Sequence, residues 1–192
     1  MTRNRSALLL LAGSLLVGPV VLPPTATAEP AGPLYRLVAT AAQRLATADP
    51  VAASKWINNG PPIDDPPRAA AVLDAVDADA TAHGIDPHYV RTVFTDQINA
   101  TEGIEYTRFA QWKFDPALAP TTGADLSESR TAIDGFNKTM VDEIAVQWNL
   151  LHGPTCSTEL SQTTDAVATG RQLDPLYRQA LTSATGSYCR TI

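Results

Sequence analysis

Aspartate is followed directly by proline five times in this chain, at Asp49-Pro50, Asp65-Pro66, Asp86-Pro87, Asp115-Pro116 and Asp174-Pro175. That repeated pair constrains the fold more than any other feature. An aspartate side chain accepts a backbone N–H of a helix's first turn, and proline at the next position already has a helical φ and no N–H to leave unpaired. Each pair therefore reads as a helix start. No run alternates apolar and polar residues with the period of two that a half-buried strand needs. The punctuation predicts a single-domain all-α bundle of about six helices, over 33–58 (kinked or interrupted near Pro50), 66–82, 87–113, 126–151, 156–170 and 174–190. Gly84 follows the second, and His152-Gly153-Pro154 ends the fourth. The stretch from Asp115 to Gly123 reads as a loop, and Asp125 with Glu128 would form a capping box, with Ser127 a competing cap.

The first 28 residues read differently. Arg3 and Arg5 precede an uncharged, leucine-rich stretch that ends in Ala26-Thr27-Ala28, a small-x-small cleavage site. Gly13, Gly18, Pro19, Pro23 and Pro24 interrupt that stretch well short of the ~20 apolar residues a bilayer span needs. Residues 1–28 are thus expected to be a cleaved signal peptide, and 29–192 an all-helical domain that is secreted or periplasmic. Losing Arg3 and Arg5 takes the formal charge from −6 to −8. A domain this acidic is a poor partner for nucleic acid or anionic membranes. Cys156 and Cys189 make an isolated pair, which in an oxidising compartment most simply forms one disulfide. Such a bond would close a loop of about 30 residues and contribute roughly 3–4 kcal/mol on the chain-entropy model. His83, His88 and His152 lack metal-ligand spacing, so no metal is expected.

Chemistry is signalled where polar groups sit on faces that should be apolar. With 100° per residue and Phe94 at zero, Thr101 falls at about 340° and Glu105 at about 20°, among Val90, Ile98 and Trp112. A hydroxyl and a carboxylate facing the core require polar partners, from the protein or from a ligand. The first helix repeats the pattern. With Leu37 at zero, Arg44 falls at about 340° and Lys55 at about 0°, roughly 16 Å apart along one face. Arg68 lies about 40° from Val72, and Arg130 about 60° from Ile133 and 20° from Asn137. Taken singly, such cations reach water or form surface ion pairs. As a set in an acidic protein they suit a small polyanion, with arginine engaging carboxylates bidentately. An enzyme acting on that ligand and a secreted helical protein binding a small carboxylate without turnover both fit. A buried polar network with no ligand is a third reading.

There is no G-x-S-x-G, no glycine-rich phosphate loop and no H-E-x-x-H. The sequons Asn99-Ala100-Thr101 and Asn137-Lys138-Thr139 fall within predicted helices and read as coincidental. Trp56, Trp112, Trp148, Phe94 and Phe109 read as ordinary core.

Four blocks together resemble a known family: QRLATADPVAASKW (43–56), QINATEGIEYTRFAQWK (97–113), LSESRTAIDGFN (126–137) and LDPLYRQALTSATGSYC (173–189). They are similar to the secreted, periplasmic-type chorismate mutases of the all-helical class, of the mycobacterial exported type. The resemblance covers essentially all of 29–192, including both cysteines. It implies an isomerase of aromatic amino acid biosynthesis that rearranges chorismate to prephenate in one step, without cofactor, inside one subunit of a homodimer. Carried over position by position, it implies that Arg44 and Arg130 bind substrate carboxylates, and that Lys55 and Glu105 face the ether oxygen of the breaking bond. Thr101 and Arg68 would complete the polar lining. The chain departs from the pattern one turn after Arg68, where Val72 stands in place of a glutamine.

Overall fold

Four of the five Asp-Pro pairs open helical segments in the computed structural model, which describes residues 32–58 and 60–190. Asp65, Asp86 and Asp174 cap α3 (Pro66–Ala82), α4 (Pro87–Phe114) and α8 (Pro175–Ala184) by accepting the N–H groups of Arg68, His88 and Tyr177. Asp115 caps a short 3-10 turn, Pro116–Leu118, within the stretch expected to be loop. The remaining helices are α1 (Tyr35–Leu45), α2 (Ala48–Asn58), α5 (Leu126–Val146), the single turn α6 (Trp148–Leu151) and α7 (Cys156–Gly170). At the start of α5 the cap is Asp125, which accepts from the N–H of Ser127 at 2.6 Å. No strand occurs among the described residues, so the all-α expectation holds. The expected signal peptide, 1–28, lies outside them.

Three details differ from expectation, each for a local reason. The interruption expected near Pro50 falls at Ala46-Thr47, but the Asp49-Pro50 pair lies inside the first turn of α2 rather than capping it. Pro50 has no N–H to give the Ala46 carbonyl, so the ladder cannot run through. Thr47 turns back instead, its backbone N–H and hydroxyl donating to the Arg44 carbonyl at 3.1 and 2.7 Å. The helix expected to run to 151 stops at Val146, where Gln147 leaves helical geometry and Trp148 packs edge-on to Tyr89 and tilted against His152, with ring centres 5.2 and 4.1 Å away. The last helix ends at Ala184, because Thr185 caps it and Tyr188 turns into the core. Cys189 therefore lies in the tail beyond α8, not in a last helical turn. The disulfide itself forms as expected, Cys156–Cys189, with Cys156 opening α7.

α4 is the central element. It packs on α2, α3 and α8, and its Val90, Val93, Phe94 and Ile104 are fully buried. α1 lies against α5, α7 and α8, contributing Leu37, Val38, Ala41 and Leu45 to the same core. Each such leucine, isoleucine, valine or phenylalanine side chain contributes about 1.5–3 kcal/mol by leaving water. Tyr89 donates its hydroxyl to the Tyr188 carbonyl at 2.6 Å, so the tail is held to α4 by this hydrogen bond and to α7 by the disulfide. This packing brings α1 to α5 around one cavity.

Candidate active site

The six residues singled out by facing angle, Arg44, Lys55, Arg68, Thr101, Glu105 and Arg130, all line one cavity. They come from five helices. Arg44 leaves the last turn of α1, and Lys55 comes from the last turn of α2. Arg68 is in the first turn of α3, Thr101 and Glu105 stand one turn apart on α4, and Arg130 comes from the start of α5. The break between α1 and α2 does not spoil the Arg44–Lys55 alignment, since both still reach the same space. Val51, Ile63, Val72, Ile98, Leu126 and Ile133 supply its apolar walls.

Arg44 is nearly inaccessible to solvent, at 4% exposure. Its Nε donates to Asn137 Oδ1 at 2.7 Å, and its Nη1 to the Thr101 hydroxyl and the Gln97 carbonyl at 3.3 and 3.4 Å. Gln97 is fully buried, and its amide nitrogen donates to the Ala41 carbonyl, which ties α4 to α1 beneath the arginine. All of these acceptors are neutral. Burial, reinforced by the like charge of Arg68, pushes the Arg44 guanidinium down to about 10. It therefore keeps its full charge at neutral pH; the Asp134 carboxylate, whose charge reaches it, is ion-paired with Arg68 and accepts no hydrogen bond from it.

Lys55 and Glu105 form a buried ion pair, Nζ to Oε2 at 2.8 Å, and Lys55 also donates to the Ile63 carbonyl at 3.0 Å. Burial pushes the Glu105 carboxyl above its ordinary value, and the Lys55 charge opposes that shift only in part. Arg68 is half-buried and meets Asp134 at 2.6 Å. Arg130 is exposed at the edge of the cavity and makes no ion pair with a described residue.

Residues not singled out from the sequence also contribute. Glu102 lines the cavity beside Thr101, and burial with the nearby Asp64 charge raises its carboxyl. Asp65 lines it too, while capping α3. Asn137 is buried against Arg44, and the signal was its position about 20° from Arg130 on α5. Trp56 packs edge-on against Phe109 and Trp112 beyond the site; Trp112 is buried, whereas Trp56 and Phe109 are only half-buried and fall short of the ordinary core expected for them.

The arrangement can bind a small anion with several carboxylates and place an ammonium and a carboxyl against its middle. It contains no nucleophile poised by a base, and no group of metal-ligating side chains occurs among the described residues.

The sequence and structure are similar to those of known proteins. The family model described as Chorismate mutase type II matches residues 35–106. A secreted chorismate mutase of Mycolicibacterium smegmatis is 60% identical over 167 residues, covering 87% of this chain and 92% of that protein. One from Mycobacterium tuberculosis is 47% identical, covering 88% and 85%. The crystal structure of the chorismate mutase from Burkholderia thailandensis superposes with a TM-score of 0.75 at 38% identity, covering 82% of this chain and 99% of that one. With likeness of this extent in both sequence and fold, the chain belongs to the family of secreted chorismate mutases.

Proposed function

We propose that the cavity described above is where this chorismate mutase turns chorismate into prephenate. The observation that carries the reading is the convergence, in an acidic protein, of four cations and a buried Lys55–Glu105 pair on one cavity. Chorismate carries two carboxylates. Arg44, whose hydrogen-bond acceptors are all neutral, and Arg130, without an ion-pair partner among the described residues, would take one each, with Arg68 and Thr101 completing the polar wall. Holding both ends selects the compact chair-like conformer, in which the reacting carbons already face each other.

The rearrangement breaks the ether C–O bond as a C–C bond forms, and no proton or electron leaves the substrate. Negative charge develops on the ether oxygen, so a fixed donor there lowers the barrier. An ammonium has three hydrogens. Lys55 directs one to the Ile63 carbonyl and holds Glu105 as its ion-pair partner, which leaves a hydrogen for that oxygen. Glu105 adds a second donor when protonated, a state its burial favours.

The protein is exported: the two mycobacterial relatives are named as secreted, and the disulfide suits an oxidising compartment. We further propose that the leader is removed before Glu29 and that the enzyme works as a homodimer. Amino-terminal sequencing and sedimentation check these two points.

The direct test is incubation of the purified protein with chorismate, following loss of its ultraviolet absorbance and identifying prephenate. Turnover without added cofactor is expected, and at chorismate concentrations below KM Arg130→Ala should abolish most of it with the helical signal intact. Thermal stabilisation by chorismate without turnover would overturn the reading in favour of a carboxylate-binding protein.

A further inference from the structure

Among the described residues, the most buried arginine of the site is held by an amide, not by a carboxylate. Asn137 is 5% exposed, and its side chain meets Arg44 Nε at 2.7 Å. Nε is a donor only, so the atom facing it must be the amide oxygen. The other acceptors of Arg44, the Gln97 carbonyl and the Thr101 hydroxyl, are neutral as well. Arg68 offers the contrast, because its partner is the carboxylate of Asp134, itself largely exposed. Arg130, Asp134 and Asn137 are spaced i, i+4 and i+7, so they share one face of α5. That face puts a cation at the cavity edge, a carboxylate on the accessible arginine and an amide on the buried one.

An aspartate would occupy nearly the same volume as Asn137 and make a stronger bond to Nε. It would also cancel the charge of Arg44 before any ligand arrived. We propose that Asn137 is a positioning residue that fixes the plane of the Arg44 guanidinium through Nε while leaving its charge for a substrate carboxylate. The inference rests on the reading above that Arg44 binds such a carboxylate. It also gives a use to a residue that opens an apparent glycosylation sequon: the amide is buried and its oxygen is engaged.

The experiment is steady-state kinetics with chorismate on Asn137→Asp, Asn137→Ala and Arg44→Ala, each with a thermal melt. Carboxylate binding is shared by the ground state and the transition state, so its loss appears in KM. Asn137→Asp should melt at or above the parent temperature, yet raise KM about tenfold or more with kcat within about threefold. Asn137→Ala should raise KM in the same direction and melt lower. A purely structural role would move the melting temperature and leave KM alone, so an unchanged KM in a folded Asn137→Asp protein overturns the proposal. If that variant does not fold, Asn137→Ser, too short to reach Nε, carries the same KM criterion. Arg44→Ala separates the two readings. A raised KM there with an unaltered KM in the Asn137 variants removes only the positioning role. An unaltered KM in all of them removes the assignment of Arg44 as well.

Discussion

At Lys55 the ammonium is held from two sides, by the Ile63 carbonyl and by Glu105, so its position is set before any ligand binds. Truncating it removes a donor that matters most in the transition state. Lys55→Ala should therefore lower kcat by about 10²–10³-fold, with a smaller effect on KM, in the chorismate assay. A loss within about threefold would refute the donor role. Glu105 has a testable sign. Burial raises its carboxyl, so the protonated donor persists above the ordinary carboxyl range and is lost as pH rises through the raised value. Its contribution to stability follows the same course, fully present below the unfolded value and lost through the folded one. Activity should fall on that alkaline limb, and Glu105→Gln, a donor at every pH, should retain substantial activity with the limb flattened. Thr101 and Glu105 were legible in the sequence because they interrupt an apolar face. Glu102 was not, since it falls about 80° from Phe94, where a charge is unremarkable until a neighbouring helix turns that edge into a wall.

Among the helices, capping carried most of the readable information. Asp65 both starts α3 and holds the N–H of Arg68 at 3.1 Å, so Asp65→Ala should cost about 1 kcal/mol, seen calorimetrically as a melting point lower by about 2–4 °C. The linker into α5 touches α2 closely. A Cβ added at Gly123 would lie 2.8 Å from the Ser54 Cα and 2.9 Å from the Ala53 carbonyl oxygen, and neither backbone atom can rotate away. Gly123→Ala should destabilise by about 1–3 kcal/mol in denaturant titration and lower activity too, because Lys55 adjoins the displaced Ser54. The helix ends were harder to foresee than the starts. Aspartate and proline act within a few residues and are visible in sequence, whereas α5 stops because Trp148 meets Tyr89, and α8 stops as Tyr188 enters the core. Such contacts join residues far apart in the chain. The break before Asp49 shows the limit of the motif itself, since that aspartate instead receives Arg108 at 2.6 Å.

In the molecule as a whole, the cavity belongs to α1 through α5, and the disulfide joins the start of α7 to the tail beyond α8. Reducing it releases a 33-residue loop, which should cost about 3–4 kcal/mol and lower the melting temperature by roughly 10 °C. Turnover at room temperature should survive, because no cavity side chain lies within that loop. The bundle and the cysteine pair could both be read from punctuation and cysteine usage. How five helices close on one space could not, because facing angles give directions within a helix and not distances between helices. The positions of the cavity residues and the cysteines also have a consequence in time. Every cavity-lining side chain lies between Arg44 and Ile133, and both sulfurs come later. A chain threading through a membrane amino end first delivers the whole binding half to the far side before either thiol emerges. In that order the disulfide could form only after every cavity-lining residue had crossed.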